Sequence, residues 1–94
     1  MSTPRQAIKE LLAEQSHSSL ELSQLLSISE KEVLEHLAHV ARAPGPGRQF
    51  QIIPAVCKNC GFVFRKRDRL TRPSRCPVCQ RESISRPRFQ LVEK

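Results

Sequence analysis

Ninety-four residues make one ordinary domain or two very small ones, and neither half buries enough apolar surface to be secure without help. The chain has four Phe and no Trp or Tyr, no apolar run of about 18 residues that could span a bilayer, and no signal-peptide core at its start, so a soluble, cytoplasmic protein is expected. The formal net charge of +7 is unevenly shared between the two halves, and that asymmetry points to a polyanionic partner for one of them.

The first element expected is a helix opening at Thr3-Pro4-Arg5-Gln6. Thr3 is placed to cap, Pro4 presets φ at the first helical position, and Gln6 completes a capping box. Ala7, Ile8, Leu11 and Leu12 follow at helical spacing. Ser18-Ser19-Leu20-Glu21 repeats the signal ahead of Leu22, Leu25 and Leu26. Ser29-Glu30-Lys31-Glu32 repeats it again ahead of Val33, Leu34, Leu37, Val40 and Ala41. Only Ser27-Ile28 separates the second helix from the third, a spacing that forces a sharp helix-turn-helix angle.

Ala43-Pro44-Gly45-Pro46-Gly47 cannot continue a helix. It divides the reading into a helix-turn-helix domain over 1–43, a linker over 44–47 and a cysteine-bearing domain over 48–94. Beyond it, Gln49-Phe50-Gln51-Ile52 alternates as a half-buried strand does, and Gly61-Phe62-Val63-Phe64-Arg65 suggests a second strand. Arg88-Phe89-Gln90-Leu91-Val92 echoes the Arg48–Ile52 pattern, and the two are expected to pair in one small sheet. The fold class is therefore α+β.

Cys57-x-x-Cys60 and Cys76-x-x-Cys79 are separated by fifteen residues. In a chain without a signal peptide this pattern indicates a metal site, not disulfides. A two-residue gap lets one tight turn present two thiolates to one ion, and four thiolates close a tetrahedral shell around Zn²⁺. Gly61 suits a turn needing positive φ, and Pro77 stiffens the second turn. A closed shell leaves no position for water, so the site is structural. The cysteines alone do not separate zinc from iron in a rubredoxin-like carrier, although a basic surface without Trp or Tyr argues against electron transfer.

The charge is unevenly placed. Residues 1–47 hold four basic and six acidic groups, a net of −2; residues 48–94 hold twelve basic and three acidic groups, a net of +9. Between the cysteine pairs lie Arg65, Lys66, Arg67, Arg69, Arg72 and Arg75 against one acid, Asp68. Five of the six are Arg, whose planar fork suits phosphate. If the strand from Gly61 runs on, Phe62 and Phe64 share an apolar face while Arg65, Arg67 and Arg69 share the other. Arg81, Arg86 and Arg88 would extend this patch. Such contacts position a protein on a duplex without reading its sequence.

The helices followed by Ile53-Pro54-Ala55-x-Cys57-x-x-Cys60-Gly61-Phe62-x-Phe64, by Pro73-Ser74-Arg75-Cys76-Pro77-x-Cys79 and by Pro87-Arg88-Phe89 resemble the small prokaryotic predicted transcriptional regulators that fuse a helix-turn-helix to a zinc ribbon. The resemblance implies a winged-helix-like N-terminal domain, a rubredoxin-like ribbon with Cys57, Cys60, Cys76 and Cys79 as zinc ligands, and double-stranded DNA as partner. On that reading Ser29 and Lys31, at the start of the third helix, would approach the groove. Two departures stand out. Ser27 occupies the turn position where such sequences usually carry Gly, and the third helix opens with Glu30, Glu32 and Glu35, charges that suit a phosphate-lined groove badly. The alternative is a protein- or RNA-interaction module whose helical half forms a homodimer or partner contact. His36 and His39, three apart, face one side of that helix and are taken as surface residues. With one Asp, no Tyr and no histidine in the cysteine-bearing half, an enzyme is not expected.

Overall fold

The computed structural model describes residues 3–65 and 70–93. Three helices form where the capping signals stand: α1, Pro4–Glu14; α2, Ser19–Leu26; and α3, Glu30–Arg42. Thr3 Oγ1 accepts from the Gln6 N–H at 3.1 Å and Ser29 Oγ from the Glu32 N–H at 3.1 Å. At Ser18 the box is reciprocal: Ser18 Oγ accepts from the Glu21 N–H and Glu21 Oε1 accepts from the Ser18 N–H, both at 3.2 Å. These side chains satisfy N–H groups that a helix start otherwise leaves unpaired. No helix among the described residues is long and apolar enough to cross a membrane.

Ser27, the residue between α2 and α3, is left-handed at φ 55°, ψ 42°. A side chain there costs about 1–2 kcal/mol, and glycine returns part of that as unfolded-state entropy. Ser27→Gly is therefore expected to raise stability by about 0.5–1 kcal/mol, read as a higher urea midpoint at unchanged slope.

Strands β1 (His17–Ser18), β2 (Arg48–Ile53) and β3 (Arg88–Glu93) form an antiparallel sheet in the order β1-β3-β2. The expected pairing of the Arg48 and Arg88 segments is present, with Phe50 opposite Leu91 and Ile52 opposite Phe89. The Phe50 and Phe89 rings stack with centroids 5.9 Å apart. β1 carries no alternation that sequence could show; it exists because β3 offers it an edge, with His17 opposite Phe89. The strand expected over Gly61–Arg65 is not formed. Gly61 turns the chain at φ 82°, and only an isolated bridge between Val56 and Val63 remains.

Two apolar clusters result. The larger contains Ile8, Leu12, Leu22, Val33, Leu37, Val40, Phe89 and Leu91, with Phe50 and Ile52 packed against it. Strands from both ends of residues 48–94 thus share the core of the helices. The smaller cluster contains Ala55, Cys57, Cys76 and Ile84, flanked by Phe62, Phe64 and Cys79. The chain leaves the helical core through β2, builds the cysteine lobe over residues 54–87, and returns through β3. The Pro44–Gly47 stretch serves as the turn from α3 into β2, where the Arg48 N–H donates to the Gly45 carbonyl at 3.2 Å.

Two arginines expected on a free basic patch are engaged with acids of the helices. Arg88 donates to Ser16 Oγ at 3.1 Å, to the Ser16 carbonyl at 2.7 Å and to Glu21, which ties the central strand to the α1–β1–α2 connection. Burial pushes the Glu21 carboxyl up, but the Ser18 N–H and the Arg88 guanidinium outweigh it and hold its pKa below the ordinary value. The stabilisation from that charge is present at neutral pH and is lost as pH falls through the lowered pKa. Arg86 donates through Nη1 to both carboxylate oxygens of Glu30, at 2.7 and 3.2 Å, and so joins the cysteine lobe to the first turn of α3.

Candidate metal centre and charged surface

Each Cys-x-x-Cys pair folds as the same tight turn. The Gly61 N–H donates to the Cys57 carbonyl at 2.9 Å, and the Gln80 N–H donates to the Cys76 carbonyl at 3.0 Å. The residue after each second cysteine has positive φ, 82° at Gly61 and 63° at Gln80. The first was legible as glycine; the second is a glutamine, so sequence gave no sign of it.

The turns bring all four sulfurs within 4.8 Å of one another. Cys57 Sγ lies 3.5 Å from Cys79 Sγ, and Cys60 Sγ lies 3.6 Å from Cys76 Sγ. A zinc tetrathiolate with Zn–S of about 2.3 Å has tetrahedron edges of about 3.8 Å, so the donor set fits one such ion. Cys57 and Cys76 are buried, Cys79 is half-buried and Cys60 is exposed.

The thiols are unequal before a metal enters. The Arg81 backbone N–H, aided by the Asn59 side chain, outweighs burial and lowers Cys79 to about 6. The Cys60 backbone N–H likewise lowers Cys57. At Cys60 the Phe62 N–H favours the thiolate, yet burial and the neighbouring thiols together push it up to about 12. Because the ligands must be deprotonated, binding displaces the remaining protons and affinity rises with pH.

Residues 3–50 match the family described as PF0610-like, N-terminal, and residues 54–94 match the PF0610 rubredoxin-like zinc beta-ribbon domain. The chain belongs to the PF0610-like family. It is similar to the solution NMR structure of protein PF0610 from Pyrococcus furiosus, with 41% identity over 97% of this chain and 90% of that one, at a TM-score of 0.79. No curated protein matches the chain.

The cysteine lobe is thus the zinc ribbon of a PF0610-like protein. Cys57, Cys60, Cys76 and Cys79 hold one structural zinc ion, and the family match decides for zinc where the sulfur geometry alone does not. The filled shell supplies cross-links, not a reactive position.

The charged residues singled out from the sequence fall in several places. Arg65, Arg72 and Arg75 are exposed on the ribbon, while Lys66, Arg67 and Arg69 lie outside the described residues. Ser29 is exposed but its hydroxyl caps α3, and Lys31 is exposed beside it. His39 is exposed; His36 is half-buried, and its Nδ1 is buried without a hydrogen-bond partner among the described residues. The Glu30–Arg86 bridge was invisible in the sequence, because ion pairs 56 residues apart leave no local signature.

Proposed function

We propose that this PF0610-like protein is a non-enzymatic DNA-binding regulator of winged-helix type in which the zinc ribbon takes the place of the wing. The observation that carries this reading is topological. The elements run α1-β1-α2-α3-β2-β3 with strand order β1-β3-β2, and the ribbon fills the connection between β2 and β3. In a winged helix that connection forms the wing beside the helix-turn-helix. Here it carries the exposed cations Arg65, Arg72 and Arg75, which suit the phosphate backbone.

The same arrangement bears on the acidity of α3. Glu30 is held by Arg86, which leaves Glu32 and Glu35 as the exposed acids of its first two turns. Backbone affinity then comes from the ribbon, with α3 contributing Ser29, Lys31 and orientation.

The reading is tested by the salt dependence of duplex binding with the zinc-loaded full chain. Each phosphate contact contributes about 0.9 to the slope of log K against log salt. Changing Arg65, Lys66 and Arg67 together to Ala is expected to flatten that slope by about 2–3. An unaltered slope removes this segment from the contact surface.

A second reading rests on exposed Glu32 and Glu35 and on Leu25, which is 57% exposed at the end of α2. These suit a protein partner or a second copy better than a groove. A full-length chain that ignores duplex DNA at low salt, yet retains a protein partner or structured RNA, would favour this interaction-module reading.

A further inference from the structure

A cleft of about 500 Å³ opens between the helical body and the ribbon. Four cations line it, Lys58, Arg72, Arg86 and Arg88, and among the described residues no acidic side chain does. Glu30 and Glu21 partner Arg86 and Arg88 from outside the lining. Two positive charges, on Lys58 and Arg72, therefore have no acidic partner among the described residues.

The walls are held in place by the fold. Arg88 is fixed by Ser16 and Glu21, and Arg86 engages Glu30 through Nη1. Lys58 follows the zinc ligand Cys57, and its N–H donates to the Ser83 carbonyl at 2.7 Å, so the metal turn sets the base of its side chain. Ser85 Oγ accepts from the Val56 N–H at 2.8 Å, which leaves its own O–H to donate into the cleft. Arg86 and Arg88 are therefore ordered before an anion arrives, and the backbone that carries Lys58 is fixed as well, which lowers the ordering cost of binding at this wall. Ile53, Pro54 and Ile84 add an apolar wall, and the volume lies within the range of small-molecule sites.

We propose that this cleft binds a phosphate group, with Lys58 and Arg72 as the charged contacts and the Ser85 hydroxyl as a neutral donor. Arg contributes a two-pronged fork and Lys a compact charge, the pairing that phosphate oxygens favour. The phosphate belongs either to a small phosphorylated molecule whose remainder lies on Ile53, Pro54 and Ile84, or to a nucleic-acid backbone. The site goes beyond the wing reading and shares only Arg72 with it.

The test is a titration of the zinc-loaded full chain with inorganic phosphate, followed by amide NMR and set against sodium chloride at equal ionic strength. Saturable one-site shifts centred on Lys58, Ser85 and Arg86 are expected. Lys58→Gln with Arg72→Gln should weaken binding at least tenfold, while Arg42→Gln, at an exposed position away from the cleft, leaves it unchanged. The same spectra report whether each variant is folded. Shifts that never saturate, that spread over all basic residues, or that persist in the double variant overturn the proposal. Duplex DNA added to the phosphate-bound protein separates the sources: displacement assigns the site to backbone phosphate, and joint binding assigns it to a small phosphorylated molecule. A chain that fails to bind duplex DNA but passes the phosphate titration loses the wing reading and keeps this one.

Discussion

Removal of zinc, by a strong chelator or by Cys76→Ser, is expected to unfold residues 54–87 while the helical core stays folded. Among the described residues the ribbon's buried cluster has four members, Ala55, Cys57, Cys76 and Ile84, and two of them are themselves ligands. Structural zinc in such sites contributes about 10–16 kcal/mol, as large as the whole stability of a domain. Without it, Phe62, Phe64 and Ile84 cannot offset the chain entropy of the lobe. The larger cluster contains no cysteine. It loses only the closure of the connection between its strands, about 3 kcal/mol for a floppy loop of this length. In amide spectra, Val56, Phe64 and Ile84 should collapse to random-coil positions while Ile8, Leu37 and Leu91 stay dispersed. The helical circular dichroism should persist with a lower Tm. Loss of the helical signal together with the ribbon would show that the two clusters unfold as one unit.

Phe89→Ala is expected to be the most damaging change outside the metal site. Phe89 is fully buried, sits on the central strand opposite both His17 and Ile52, and stacks on Phe50. Truncation leaves a cavity where helices and sheet meet, at a cost of about 3–5 kcal/mol. Against a total stability of roughly 5–14 kcal/mol for a chain of this length, the variant should lose about a fifth of its margin or more. Urea unfolding measures this directly, and zinc content should remain one per chain because the cysteine cluster is separate. A cost below about 1 kcal/mol would mean that the sheet packs far more loosely than a fully buried ring implies.

The sequence was most legible where a signal is local. Thr3, Ser18 and Ser29 announce their helices because a cap and its N3 partner lie three residues apart. The alternation at Phe50 and Ile52 and at Phe89 and Leu91 identified β2 and β3 and their pairing. The spacing of the cysteines identified a metal site outright. The misreading at Gly61–Arg65 has a physical source. Phe62 and Phe64 do pack on the same cluster, with rings meeting edge to face at 5.0 Å, but they cover a metal turn and not a sheet. What stayed hidden is non-local: β1, which depends on its neighbour, and the acids that claim Arg86 and Arg88.

The splice of the ribbon into the sheet also bears on the order in which the molecule assembles. The nearest residues that β2 and β3 bring together, Ile53 and Arg88, are 35 positions apart, so their meeting is a slow, long-range search for a bare chain. The folded ribbon shortens that search. The Ser85 N–H donates to the Val56 carbonyl at 2.9 Å, which holds the chain next to β2 against the chain next to β3. Zinc capture then delivers the two strands to each other as the ends of a hairpin. In refolding experiments the sheet should form faster when zinc is present from the start than when it is added late.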